Sequence, residues 1–165
     1  MQLIELSANQ ASFHTVTFNP TGVSVIRASQ DESKKKSMGS TYNGVGKSLL
    51  IRLIHFCLGS KAIEEFRRKI PDWTFTLKFK INDQEYTVSR SVNEQSKIVI
   101  NGKDSKQKDL IALLEKEVFE LPDNSKNLTG RSLLCRFVRP RKESYNRYDS
   151  FIPKERDHAT LINNS

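Results

Sequence analysis

Long hydrophobic runs are missing from this chain. No apolar stretch approaches the roughly 18 residues that a membrane-spanning helix needs, so no membrane partner is expected. The first residues, Met1-Gln2-Leu3-Ile4-Glu5-Leu6, lack the basic-then-apolar order of a secretory leader. Cysteine is scarce: Cys57 and Cys135 each sit in an apolar, helix-patterned run and read as core thiols of a reducing compartment. His14, His55 and His158 are isolated from one another and from cysteine at ligand spacing, so a His/Cys metal centre is not expected. These absences give the expectation of a soluble cytoplasmic domain.

Acidic residues are also in deficit. Lys and Arg total 27 against 19 Asp and Glu, a net charge of +8, and an anionic partner fits that balance. Nucleotide, nucleic acid and a plain soluble surface are all compatible with it. With 165 residues the chain is long enough for one domain with a core of its own.

Three short extended segments are expected first: Leu3 to Leu6, Phe13 to Phe18, and Val23 to Ile26, separated by polar turns such as Asn19-Pro20-Thr21-Gly22. His14 falls on the second and reads as a surface residue. Residues 28 to 42 form a polar insertion rich in Ser and charge. Leu50, Leu53, Ile54, Cys57 and Leu58 share one face of a helix expected from about Lys47 to Leu58, with Gly59 as its stop. A charged segment, Ala62 to Arg68, leads to Pro71. A β-meander is expected next, with Trp73, Phe75, Leu77, Phe79 and Ile81 on one face of its first strand. Asn82-Asp83-Gln84 turns that strand into Glu85 to Val92, and Lys97 to Ile100 follows, closed by Asn101-Gly102. Lys108 to Phe119 has the spacing of an amphipathic helix. Leu128 to Val138 fits either one helix or a helix followed by a strand.

The chemistry-bearing motif is Asn43-Gly44-Val45-Gly46-Lys47-Ser48, set between the expected strand Val23 to Ile26 and the expected helix. Strand, glycine-bearing loop and helix in this order are what a phosphate-binding loop requires. Successive backbone N–H groups form an anion nest, and the helix start adds its unpaired donors and the positive end of its dipole. Gly44 and Gly46 let backbone approach phosphate oxygens. Lys47 would supply the counter-charge to the β- and γ-phosphates, Ser48 would ligate Mg²⁺, and Leu49 completes the first turn. The first glycine of the G-x-x-x-x-G-K-[ST] pattern is replaced by Thr41, which bears on the entry turn more than on the phosphate grip.

Basic residues cluster in three places. Lys34, Lys35 and Lys36 lie in the insertion, where solvation or a nucleic-acid contact both fit. Arg67 and Arg68 follow the expected helix and have the same two readings. From Arg136 onward, Arg139, Arg141, Lys142 and Arg147 interleave with Phe137, Tyr145, Tyr148 and Phe151. A single-strand groove uses such a mixture, cations on phosphates and rings on bases, and so does a basic surface beside a loop.

This order of elements resembles the N-terminal ATPase lobe of the SMC, RecF and RecN group of ABC-type ATPases. The residues that carry the resemblance are Phe18-Asn19-Pro20, Asn43 to Ser48, His55-Phe56-Cys57-Leu58-Gly59 and Tyr86-Thr87-Val88-Ser89-Arg90. It looks most like bacterial coiled-coil ATPases of defence-type gene clusters. The resemblance implies an α/β P-loop NTPase lobe over residues 1 to 160, a mixed sheet with an antiparallel meander and flanking helices. Residues 161 to 165 would then begin a linker or coiled-coil arm. It further implies ATP and Mg²⁺ as cofactors, DNA as target, a C-terminal lobe in cis or trans, and a second head in a homodimer when ATP is bound. That C-terminal lobe would bring the signature motif and an acidic strand. Neither is found here: Ile81-Asn82-Asp83 falls in a turn, no Leu-Ser-Gly-Gly-like run occurs, and Phe137-Val138-Arg139-Pro140 is the nearest segment to a glutamine-bearing loop. This polypeptide alone is therefore expected to bind ATP and to hydrolyse it poorly. Two alternatives stand beside this: a nucleic-acid-binding module with a vestigial loop, and, ranked last, a small self-sufficient nucleotide kinase.

Overall fold

Thr74–Ile81 alternates buried and half-buried residues without a break, and it is the axis of the fold. Phe75, Leu77, Phe79 and Ile81 are buried on one face, as a strand with one covered side dictates. Thr76, Lys78 and Lys80 stand on the other face, where the Thr76 and Ser89 hydroxyls share a hydrogen bond of 2.8 Å and Lys78 pairs with Glu5 at 3.0 Å. The computed structural model describes residues 1–26, 46–122 and 129–139, the side chain of Lys47 excepted.

Six strands and four helices are described: β1 (Gln2–Ala8), β2 (Val16–Thr17), α1 (Lys47–Cys57), α2 (Glu64–Lys69), β3 (Thr74–Ile81), β4 (Gln84–Ser91), β5 (Lys97–Ile100), β6 (Lys103–Lys106), α3 (Gln107–Glu117) and α4 (Gly130–Phe137). The strands form one sheet in the order β2-β1-β3-β4-β5-β6. Every pairing among the described residues is antiparallel, so the expected meander and flanking helices are present, and the parallel component of a mixed sheet is not found there.

Tight turns set the register. Asn82 and Asp83 both have positive φ, 45° and 67°, and so do Asn101 and Gly102 at 49° and 78°. That is the geometry of the two-residue turn whose twist suits a hairpin. The second of these turns opens β6, a strand the sequence reading omitted. Its residues, Lys103-Asp104-Ser105-Lys106, include no apolar side chain and are held through the backbone at the sheet's edge.

α1 packs on β3 and β4, and α3 on β5 and β6. Leu53, Ile54, Phe56, Cys57 and Leu58 of α1 and its cap meet Leu110, Leu114 and the buried strand face in a single core. Phe56 contributes to it although the helical face read from the sequence did not include it. The Asp109 carboxylate caps α3 by accepting from Lys106 N at 2.8 Å. The described part of the ambiguous segment holds one helix, α4, which ends at Phe137; its Thr129 N-cap accepts from Ser132 N at 3.2 Å. Among the described residues no helix is long and apolar enough to cross a membrane.

Two expectations at the N-terminal end are corrected. Only Val16–Thr17 of the expected strand 13–18 pairs, and His14 lies in an exposed irregular stretch. Val23 to Ile26 is not a strand: Val23 and Val25 are 78% and 81% exposed. Asn19 explains this locally. Its side-chain Nδ2 donates to Val23 O at 2.9 Å and its backbone N to Ser24 Oγ at 2.8 Å, a local turn in competition with sheet pairing.

Candidate functional site: the two ends of helix α1

α1 begins at Lys47, after Gly46 in the left-handed region at φ 81° and ψ 5°. Glycine is required there by the backbone angle, since an added Cβ would meet nothing within 4 Å. Leu50 N closes the first helical hydrogen bond on Gly46 O at 2.9 Å. The N–H groups of Lys47, Ser48 and Leu49 have no carbonyl one turn back to bond, as at any helix start. No side chain caps this end, and the first turn contains no acidic residue. Gly46, Ser48 and Leu49 are exposed. The helix's positive end thus has no acidic residue in its own first turn, which suits a phosphate or another anion. ATP with Mg²⁺ fits these residues: donors from the first turn, the Lys47 cation by sequence, and an accessible Ser48 hydroxyl. Asn43, Gly44 and Val45 lie outside the described residues.

The other end of α1 is closed as tightly as the first is open. Gly59, at φ 88°, follows the Leu58 cap; Gly59 N donates to Phe56 O at 3.2 Å and Ser60 N to His55 O at 3.1 Å. This pair of reversed bonds is the Schellman arrangement. The Gln107 amide donates to Gly59 O at 2.6 Å and also to Ser60 O. Arg90, near the C-terminal end of β4 on its buried face, donates to Phe56 O at 2.6 Å, Ser60 O at 2.9 Å and Gln95 O at 2.7 Å, with its guanidinium 4.3 Å from the Phe56 ring centre. Burial pushes the Arg90 pKa down to about 10 and the neighbouring Cys57 thiol up to about 12, so at neutral pH the first is charged and the second is not.

The basic candidates are scattered around this helix. Arg67 pairs with Glu64 at 2.9 Å, which compensates its charge. Arg52 and Lys69 share Glu65, at 2.8 Å and 2.7 Å, and these hydrogen bonds hold the Glu65 pKa at about 2. Arg68 is exposed on the same short helix α2. Arg139 is half-buried and lines an open, mostly apolar cavity of about 410 Å³ with Leu3, Ile51, Ile54, Phe137 and Val138, beside α1. Phe137 itself is 75% exposed. Lys34, Lys35, Lys36, Arg141, Lys142 and Arg147 lie outside the described residues. So Arg139 is placed beside Ile51 and Ile54 of α1, whereas Arg67 and Arg68 sit on α2.

Asp83, weighed as an acidic strand end, is exposed in the β3–β4 turn and bonded to Lys80 at 2.8 Å. That bond holds its carboxyl below the usual range. Among the described residues no cluster of His, Cys, Asp and Glu could hold a metal ion. His55 and Cys135, distant in sequence, face each other across α1 and α4 at 3.9 Å.

The sequence reading gave Arg90, Gln95 and Gln107 no structural role. The signal for Arg90 was present: Val88, Arg90 and Val92 share one face of an alternating strand whose apolar members are buried.

No protein-family model matches this chain, and no curated protein does. A solved structure from work on ATP-driven dimerization and DNA-stimulated activation of SMC ATPases is similar at 14% identity and a TM-score of 0.48, over 84% of this chain and 91% of that one. That likeness is too loose to carry a function across.

Proposed function

We propose that this chain is the ATP-binding lobe of an SMC/RecN-like ATPase that acts on DNA. The observation that carries the reading is the start of α1: a left-handed Gly46, an exposed first turn free of carboxylates, and the Lys47-Ser48 pair at that position. In this reading the amides of residues 46 to 49 hold phosphate oxygens, Lys47 supplies the counter-charge, and Ser48 supplies a ligand to Mg²⁺. Bound Mg²⁺ would neutralise phosphate charge. This chain's own part is to bind and orient the nucleotide. Hydrolysis additionally needs a carboxylate at a strand end, and Asp83 is committed to Lys80. A C-terminal lobe, in cis or trans, and a second head would provide what is lacking.

The test is titration of the full chain with Mg-ATP, alongside Lys47→Ala. Removing a charge-assisted contact worth about 1.5–3 kcal/mol weakens binding by roughly 10- to 100-fold. An unchanged affinity in the variant refutes the site.

One observation favours a second reading. Val23 to Ile26 lies outside the sheet, so the strand of the strand–loop–helix unit is not formed there. A nucleic-acid-binding module with a vestigial loop would bind DNA in a salt-sensitive way and ignore both ATP and Lys47→Ala.

A further inference from the structure

Arg90 is the one fully buried side chain with a permanent charge among the described residues, at 1% exposure. It donates to three backbone carbonyls and lies over an aromatic ring, and none of these partners is a carboxylate. The charge is met by the dipoles at the C-terminal end of α1, where Phe56 and Ser60 present their oxygens. Gln95, also 1% exposed, extends the grip by accepting from Ile63 N at 2.7 Å and donating to Ile63 O at 3.1 Å. Gln107 holds Gly59 and Ser60 from the start of α3. Three side chains, from β4, the turn after it and α3, thus converge on the five residues that close α1 and the segment just beyond.

An apolar side chain of similar volume would escape the guanidinium's desolvation cost but would take a donor from three buried carbonyls. What the guanidinium adds is direction: a planar fork reaching carbonyls on α1 and on the β4–β5 turn together fixes both the height and the rotation of the helix. Phe56 lies eight residues from Ser48, roughly 12 Å along one rigid axis. Play at one end reappears at the other. We propose that Arg90 is a positioning residue for the phosphate site, setting the place of Ser48 and the first-turn amides from the far end of α1. This rests on the nucleotide-binding reading above, where displaced first-turn donors would lose charge-assisted hydrogen bonds to phosphate.

The test uses the full chain, with Arg90→Lys, Arg90→Met, Gln107→Ala and, as a control on the same buried face, Val88→Ala. Backbone amide exchange at residues 48 to 54 is measured without nucleotide, and Mg-ATP affinity by titration. At equal loss of thermal stability, the Arg90 and Gln107 variants should exchange at least several-fold faster in the first turns of α1 than Val88→Ala. They should also bind Mg-ATP about tenfold more weakly than that control, as loss of one charge-assisted hydrogen bond would give. Arg90→Lys should recover only part of the loss, since one ammonium cannot span both segments. If Arg90→Met does not fold, Arg90→Lys and Gln107→Ala carry the comparison. Equal exchange and equal affinity in these variants and Val88→Ala overturn the proposal and leave Arg90 a core residue only. Absence of Mg-ATP binding by the unaltered chain refutes the nucleotide reading, and exchange alone then decides whether Arg90 governs the helix start.

Discussion

Gly59→Ala should destabilise the chain by about 1 kcal/mol, and the two sources of that cost can be separated. The first is backbone: Gly59 has φ 88°, where an L-residue pays about 1–2 kcal/mol, offset by about 0.4–1 kcal/mol because alanine stiffens the unfolded chain. The second is contact: an added Cβ would lie 3.2 Å from Ile111 Cδ1 and 3.6 Å from Leu110 Cδ2, close enough to need a shift of a few tenths of an ångström. Gly102→Ala is the control, at φ 78° with nothing within 4 Å of the new Cβ. For a chain of this length, thermal melting should drop by about 2–4 °C for each kcal/mol. Gly59→Ala should fall further than Gly102→Ala, and Ile111→Val, which removes Cδ1, should reclaim part of the difference in the double variant. Melting of Gly59→Ala at the temperature of the unaltered chain refutes the backbone reasoning. An additive double variant removes the contact from the account.

Acid stability should report Glu65. Its carboxyl is held down to about 2 from an ordinary 4.5, chiefly by the hydrogen bonds from Lys69 and Arg52. A depressed acid stabilises above its unfolded pKa and loses that contribution as pH falls through the folded one, so Glu65→Gln should flatten the acid unfolding curve between about pH 4.5 and 2. Trp73 fluorescence can follow it, and an unchanged slope counts against the network. Thiol labelling should split the cysteines. Cys57, buried with its pKa raised to about 12 by that burial, should resist iodoacetamide at pH 8 in the native state, while half-buried Cys135 labels faster; mass spectrometry of the labelled peptides reads the order. These stand beside the loss of Mg-ATP affinity in Lys47→Ala and the altered exchange in the Arg90 variants.

What could be read from the residues follows from what each element depends on. β3 was legible because one covered face imposes an alternation that no turn or helix mimics. The helix from Lys47 was legible from its apolar spacing and from Gly59, whose positive φ the stop signal anticipates. β6 was not, because edge pairing through the backbone leaves no hydrophobic trace; the Asn101-Gly102 turn, which must lead into a second strand, was the overlooked sign. Val23 to Ile26 misled for the opposite reason. Its composition suits a strand, but a strand needs a neighbour, and the Asn19 side chain takes the Val23 carbonyl instead. At the site, the helix start follows from Gly46-Lys47-Ser48 and the lack of acidic residues in its first turn. The closure of the far end does not, since it joins residues 34 positions apart in the chain through backbone oxygens that composition cannot reveal.

The lysines of β6 have a consequence for how copies of this chain meet in concentrated solution. Lys103 and Lys106 stand exposed on a four-residue outermost strand, with Asp104 between them. A second sheet aligning there would have to bring like charges together and strip their water, so that rim is a poor template for aggregation. Among the described residues the opposite rim is β2, whose two residues give an incoming strand little to pair with.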